Sequence, residues 1–397
     1  MKTLIDIYKR ILEQDGGAKF YQGDFHIHTP MTGDWKENSI SILEWLEKLK
    51  ALNYDFVIVA DHGLKITDFI DNYNLITDKS LYPKIFMGSE IQTKDRIHLH
   101  FIFEKLLERD DYRKILDGYR VSEDITSEID DKADLELINQ AKKDKISILF
   151  PHASMSKGFV KVNKGHSKEI ILNGNIKLVN LPNKSLEFDH NTPPTPKIPH
   201  PDCSLIKLEN REDNYGYPEF LKEIKKKLAI IKISDAHSIS ELERITTICL
   251  HCNYYNYCFK GINWVKLGDL TITGIKQLQY DSKNRIKYLK PSALKHIYII
   301  GLNISEGFFK DQYFHFNPWL NILMGGRGSG KSLIIEIIKC MLKPDPINFM
   351  KEIPLLSHKF ACTLHKDAKI RLFIKDTHEN VWMIERFVKK IEKKKNS

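Results

Sequence analysis

His26 and His28 stand two residues apart in GDFHIHTPMTGD, a spacing that puts both rings on one side of a β-strand. Two imidazoles on one face can begin a metal chelate, although a single pair among 16 histidines is weak evidence. The arrangement recurs along the chain. Asp61 and His62 directly follow the apolar run DFVIVA, Glu90 follows KIFMGS, and His98 and His100 alternate along IHLHFIF. His152 follows ISILFP, and Asp235 and His237, again two apart, follow AIIKIS. Each lies at or beside the C-terminal end of an apolar strand, where parallel α/β folds gather their ligands. Collected on one face, such a set is costly unless divalent cations neutralise it. The alternative is a series of polar strand ends facing water. Mixed nitrogen and oxygen donors suit Zn²⁺, Mn²⁺ or Fe²⁺ without choosing among them. Grouped cations of this kind activate a water and clamp phosphoryl oxygens, which is the chemistry of phosphate-ester hydrolysis. Lys65 and Lys157 follow two of these strand ends and read first as solvated lysines.

A second chemistry lies near the other end. Gly325, Gly326, Arg327, Gly328, Ser329, Gly330, Lys331 and Ser332 fit the phosphate-binding pattern G-x-x-x-x-G-K-[ST]. The run LNILM before them predicts a strand, and LIIEIIKCML after them predicts a helix. In that context backbone N–H groups cradle phosphates, Lys331 reaches the β- and γ-phosphates of ATP, and Ser332 holds Mg²⁺. The acidic residue expected at the end of a later apolar strand is harder to find. Asp376 closes IRLFIKD, but IRLFIKD-THEN-VWMIERFV reads as two strands joined by a polar turn, which places Asp376 in a hairpin.

These groups need a scaffold, and the apolar patterning supplies one. Helical spacing of Leu4, Ile5, Tyr8, Ile11 and Leu12 predicts a helix over 1–15, ended by Gly16 and Gly17. Strands are predicted over 24–28, 55–60, 82–90, 96–103, 146–150 and 229–234. Helices are predicted over 39–52, with Ser39 as cap, and over 133–142. Alternating strands and helices with near-continuous apolar strands predict a parallel α/β architecture. A hydrophobic content of 42% excludes a disordered chain. No apolar run approaches the ~20 residues of a membrane helix, and the amphipathic N-terminus is not a secretory signal. Six unevenly spread cysteines form no disulfide framework, so a cytoplasmic setting is expected. Cys249, Cys252 and Cys258, beside the strand-like run ITTICL, read as buried cysteines rather than a zinc site. The net charge of +9 permits a phosphate-rich partner without demanding one.

The order HxH, DH, E, H, H, DxH resembles the PHP (polymerase and histidinol phosphatase) family over about residues 20–240. GAKFYQGDFHIHTPMTGDW, INWVKLGDLTITGIKQLQY and FNPWLNILMGGRGSGKS resemble, more narrowly, bacterial fusions of a PHP domain to an ABC/SMC-like P-loop ATPase, of the TrlF type. The resemblance implies a distorted (β/α)7 barrel holding up to three metals, followed by a partial P-loop ATPase α/β lobe. It implies His26, His28, Asp34, His62, Glu90, His98, His152, Asp235 and His237 as metal ligands, with the choice between His98 and His100 open. Asp61, His62, Asp235 and His237 become the catalytic candidates, Asp61 by orienting His62 or its strand neighbours. The division expected is a helix over 1–19, the phosphoesterase over 20–240, a connector over 241–293 and the N-terminal half of the ATPase over 294–397. Such fusions are longer, so the resemblance implies a chain truncated in its ATPase part, with the missing half or a second chain as partner; a homodimer is compatible with it. Nucleic acid is the implied substrate. A small phosphomonoester with a vestigial P-loop, or a nucleotide-binding assembly module with an inert barrel, are the alternatives.

Overall fold

The computed structural model describes residues 2–93, 97–121, 128–129, 134–151, 178–180, 228–246, 262–288, 290–292, 294–344, 363–365 and 368–388. Among them the chain is a mixed α/β protein that divides into two compact units, Lys19–Pro291 and a second made of Met1–Ala18 with Ser292–Ser397. His152, Lys157, the proline-rich 190–203 segment and Cys249, Cys252 and Cys258 lie outside the described residues.

Helix α1 (Lys2–Leu12) opens the chain and belongs to the second unit. The first unit then runs β1 (Lys19–Ile27), α2 (Ile42–Ala51), β2 (Phe56–Val59), β3 (Asp61–His62), α3 (Lys65–Asn74), β4 (Lys84–Phe86), β5 (Gly88–Thr93) and β6 (His98–Phe103). It continues with α4 (Arg109–Gly118), β7 (Glu128–Ile129), α5 (Asp134–Lys143), β8 (Ile146–Leu149), β9 (Leu178–Asn180), β10 (Ala229–Ile231) and α6 (Ile239–Thr246). It closes with β11 (Asn263–Leu267), α7 (Ile272–Lys276), α8 (Ser282–Arg285) and β12 (Ile286–Lys287). One sheet has the order β12-β11-β1-β2-β4, a second the order β3-β5-β6-β8 with β7 beside β5, and β9 pairs with β10.

The sheets are mixed rather than parallel. β1, β2 and β4 pair in parallel, as do β3 and β5. β5–β6, β6–β8 and β1–β11 are antiparallel. The physical reason for the first of these is chain length: four residues separate Thr93 from His98, whereas a parallel crossover needs roughly a dozen or more. One predicted strand is broken in two, and a short separate strand follows another. The 55–60 run and the Asp61–His62 pair that follows it separate at Ala60, and 82–90 separates at Met87, so that β2 and β4 pair in one sheet and β3 and β5 in the other. The chain thus carries Asp61, His62 and Glu90 from one sheet to the next. Helix α2 is capped by Ser41, not Ser39. Ser41 Oγ accepts from the Glu44 N–H at 3.2 Å, and a Glu44 carboxylate oxygen accepts from the Ser41 N–H at 2.8 Å. Ser39 has no Glu or Gln three residues on and adopts φ 67° in the preceding turn. Trp45, Leu46 and Leu49 of α2 are wholly buried in the core of this unit.

In the second unit, β13 (Tyr298–Ile304), β14 (Tyr313–His315), β15 (Lys369–Lys375) and β16 (Val381–Phe387) form one antiparallel sheet in the order β14-β13-β15-β16. Helix α9 (Lys331–Leu342) packs Leu333, Ile334, Ile337 and Met341 on Leu302, Ile304 and Leu372. Ile11 of α1 seats against Ile300 and Phe373. Gly301 leaves the room, since a Cβ there would lie 2.4 Å from Ile11 Cγ2. The strand expected over LNILM is not formed. Leu320, Ile322 and Met324 are 78%, 71% and 87% exposed, and no described strand pairs with them. The helix after the glycine-rich loop begins at Lys331, and Gly330 precedes it at φ 84°, in the left-handed region that glycine enters without strain. Lys331 Nζ donates to the carbonyls of Gly325 and Gly326, each at 2.7 Å, and to Ser329 Oγ at 3.2 Å. The IRLFIKD hairpin forms as expected, with Asp376 in its turn.

Candidate metal centre

Strand β1 supplies the first half of the site. Its residues alternate, and both faces are covered, so Phe25 and Ile27 enter apolar clusters while Asp24, His26 and His28 share the other face. All five are fully buried. Burying three ionisable groups in a row is expensive unless each is satisfied. Asp24 Oδ1 accepts from the N–H groups of His26 and Ser234, each at 3.1 Å, which joins β1 to the segment carrying Asp235. Burial pushes its carboxyl up to about 7, against those hydrogen bonds.

The other strand ends converge on the same place. His28, His62 and His237 each offer a ring nitrogen, and these atoms lie within 4.8 Å of one another; His26, His28 and Asp235 form a second such group. His28 belongs to both. Glu90 lies beneath them: its Oε2 is 3.4 Å from His26 Nε2, 3.6 Å from His28 Nε2 and 3.3 Å from His62 Nε2. Asp235 Oδ1 is 3.8 Å from His26 Nε2 and 3.6 Å from His28 Nε2. Asp34 lies at the more exposed side, with its oxygens 3.5 Å from His62 Nδ1 and 3.1 Å from His237 Nε2. The rings of His28 and His237 stack at 4.0 Å. Asp235 has φ 49°, a strained value for a residue with a Cβ, and its N–H is held by the His26 carbonyl at 3.0 Å.

The electrostatics are those of donors facing one another across a small gap. Burial opposes ionisation of Glu90, yet the imidazoles of His26, His62 and His98 hold its carboxyl well below the usual range. Burial also opposes charge on His62, but Asp34 and Glu90 outweigh it and pull the pKa up to about 10. His28 goes the other way: desolvation lowers it to about 3, and neither of its buried ring nitrogens makes a hydrogen bond. A neutral imidazole facing two carboxylates and flanked by further imidazoles fits a divalent cation.

Two predicted residues sit differently from the rest. His98 Nδ1 pairs with Glu90 Oε1 at 2.7 Å and its Nε2 faces Gln92 Oε1 at 3.2 Å, so it reaches the cluster through Glu90. Asp61 does not face His62. Its two oxygens accept from the Thr29 N–H at 2.7 Å and the Thr29 hydroxyl at 2.6 Å, which fixes the turn that follows His28. Burial raises its pKa to about 6. Lys65 is paired with Asp68 at 3.2 Å, on the surface. Asp24 and Thr29 are site residues that strand-end reasoning passed over; the two-residue spacing of Asp24, His26 and His28 carries the signal for the former.

No protein-family model matches the chain, and no curated protein matches it. The solved structures similar to the chain include the following three. The lesion-specific endonuclease Q of Pyrococcus furiosus aligns with a TM-score of 0.42 and 16% identity over 71% of this chain, and endonuclease Q bound to a 27-mer duplex with an abasic lesion aligns with 0.42 and 14% over 70%. The chain spans 62% of the length of each of those two proteins. A candidate metal-dependent phosphoesterase from Bifidobacterium adolescentis aligns with a TM-score of 0.32 and 13% identity over 54% of this chain and 88% of its own.

Proposed function

We propose that this chain is a metal-dependent phosphoesterase of the PHP type that hydrolyses phosphodiesters of nucleic acid and carries an ATP-binding P-loop unit. The observation that carries the reading is the sharing of buried His28 by two groups of donors, each compact enough for one cation. Nucleic acid rests on the motif resemblance and on the mild excess of basic residues. His26, His28, His62, Glu90, Asp235 and His237 would hold the cations, with Asp34 on the exposed side and His152 as a further donor. Divalent cations held there supply an activated water and neutralise charge on the phosphoryl oxygens. The chain's own part is positional. Asp61 and Thr29 lock the turn after His28, Asp24 ties β1 to the segment carrying Asp235, and Glu90 sets the three Nε2 atoms around one oxygen. His62 and His237 face Asp34, so a proton held on that side is shared between an imidazole and a carboxylate that solvent reaches.

The test is hydrolysis by the full chain, stripped with chelator and then reloaded singly with Mn²⁺, Zn²⁺ or Fe²⁺, on a phosphomonoester, single-stranded and duplex DNA, and RNA. The expected result is metal-dependent cleavage of a nucleic acid, lost by at least about 100-fold in His28→Ala while the melting transition of the metal-free chain persists. Cleavage of the phosphomonoester alone would replace the nucleic-acid reading, and full activity in His28→Ala would reject the metal mechanism.

A further inference from the structure

The metal donors gather at one end of the β3-β5-β6-β8 sheet, and a cluster of another kind lies at the opposite end. Glu90 pairs with His100 and His100 with Leu149, whereas Phe103 pairs with Ile146, roughly 10 Å further along β6 at ~3.3 Å per residue. Just beyond that far end is a cavity of about 510 Å³ lined by Glu104, Lys105, Lys142, Lys145 and Lys276. Four ammonium groups and one carboxylate leave a surplus of three positive charges there. The lysines come from separate places in the first unit. Lys105 follows β6, Lys142 lies in the last turn of α5, Lys145 precedes β8 and Lys276 ends α7.

The neighbouring acids do not cancel this charge. Glu104 is ion-paired with Lys276 and accepts from Ser147 Oγ at 3.0 Å. Asp144, between Lys142 and Lys145 in sequence, is turned to other partners. Both its oxygens accept from Gln140 Nε2 at 3.0 Å, and Oδ2 also accepts from the Tyr119 hydroxyl. Lys105, Lys142 and Lys145 are exposed and form no ion pair among the described residues. Cations at helix C-termini offset the helix dipole. That accounts for Lys142 and Lys276, but not for Lys105, which is on no helix, nor for the convergence of all four on one cavity. Lys145 also has φ 59°, a left-handed conformation that glycine usually supplies where a helix closes.

We propose that this cavity binds a compact oligophosphate, an anion with three or more charges on adjacent phosphates, and that it is separate from the metal centre and formed wholly by the first unit. Lysine meets phosphate oxygens as a point charge, without the planar fork that selects one geometry. A nucleic-acid backbone calls for basic residues spread along a track. These four instead line a single hollow, whose volume is that of a small-molecule site.

Calorimetric titration with inorganic tripolyphosphate tests this on the chelator-stripped full chain carrying Lys331→Ala, so that neither bound metal nor the glycine-rich loop competes for the anion. The expected result is saturable binding that weakens as salt is raised. Changing Lys105, Lys142 and Lys145 together to Gln should weaken it by at least about tenfold, because each change removes a charge-assisted hydrogen bond. Lys105→Gln alone should weaken it by about threefold and carries the test should the triple variant not fold. Changing Lys50, Lys114 and Lys143 to Gln removes the same charge away from the cavity and should leave affinity within about twofold. ATP in the same background distinguishes two sources of the ligand: affinity equal to that of tripolyphosphate assigns the phosphate chain alone, and higher affinity assigns a nucleotide, each supporting the site. Absence of tripolyphosphate binding, or equal loss in the two triple variants, overturns the proposal. So does a single-stranded DNA oligomer that binds more tightly than tripolyphosphate and is lost in the cavity variant, since the site would then serve a backbone.

Discussion

Asp24 shows how much of the site's cost falls on residues that need not touch a cation. Its Oδ2 is buried without a hydrogen-bond partner, and burial raises its carboxyl from 3.8 to about 7. A carboxyl whose folded pKa lies above its unfolded value takes up a proton on folding between those two values. Stability is therefore full below about pH 4 and declines as pH rises toward 7. At 1.36 kcal/mol per pKa unit the loss approaches ~4 kcal/mol. Asp24→Asn keeps an acceptor for the His26 and Ser234 N–H groups and has no charge to bury. Metal-free melts from pH 4 to 8 should show the variant and wild type together at the acid end and the variant more stable at pH 8. A constant difference across that range would assign the effect to packing instead. His28 carries its burden differently: it stays neutral, at a pKa of about 3, and buries two unengaged nitrogens.

At the scale of elements, β1 is the strand on which the centre depends, and its pairing beside β2 is tight. A Cβ at Gly23 would meet the Phe56 ring at 2.1 Å, and Phe56 is fully buried beneath Phe25 and beside Phe86, which leaves it no room to turn. Gly23→Ala should cost about 1–3 kcal/mol, as overpacking typically does, and lower metal affinity as well, because Asp24, His26 and His28 follow on the same strand. Chemical denaturation paired with Co²⁺ titration checks both; an unchanged midpoint would mean that β1 shifts freely. The same strand shows what patterning could and could not convey. HxH, DH and DxH at the ends of apolar runs are legible because side-chain period is local. The breaks at Ala60 and Met87 are not, since a continuous apolar run looks the same whether it serves one sheet or two. Antiparallel β5 and β6 were legible in principle from the four residues between them. The LNILM strand failed for another reason: an alternating apolar segment predicts a strand only where a neighbour pairs with it, and Leu320, Ile322 and Met324 have none among the described residues. His100 was visible only as one of two histidines on a face; its contact with the Val59 carbonyl joins residues distant in sequence.

At the scale of the whole molecule, the proposed function gives each unit a chemistry of its own, and the chemistry proposed for the glycine-rich loop is the less complete. Lys331 is turned back onto the Gly325 and Gly326 carbonyls and Ser329. An incoming triphosphate would exchange those neutral acceptors for charged oxygens, a favourable trade for an ammonium. Binding that depends on Lys331 is therefore expected. Turnover asks for more, namely an acid to complete the Mg²⁺ shell and position a water. The sequence offers Asp376, and its carboxylate is already engaged. Oδ1 accepts from the His378 and Asn380 N–H groups at 2.8 and 2.9 Å, and Oδ2 accepts from Trp382 Nε1 at 2.8 Å and Asn380 Nδ2 at 3.1 Å. Those bonds, that from Trp382 foremost, hold its pKa down at about 2, so it is an anion bound to its own turn. The full metal-loaded chain should accordingly bind ATP, lose that binding in Lys331→Ala, and show steady-state hydrolysis far below the ~1 s⁻¹ at the low end of typical enzymes. Asp376→Asn discriminates further. If the carboxylate serves only the hairpin, the variant lowers the melting temperature and leaves ATP affinity unchanged; if it serves Mg²⁺, nucleotide affinity measured with and without Mg²⁺ separates from wild type. Turnover near ~1 s⁻¹ that Lys331→Ala and Asp376→Asn both abolish would show a complete ATPase in this chain and reverse the assignment of Asp376 to the turn.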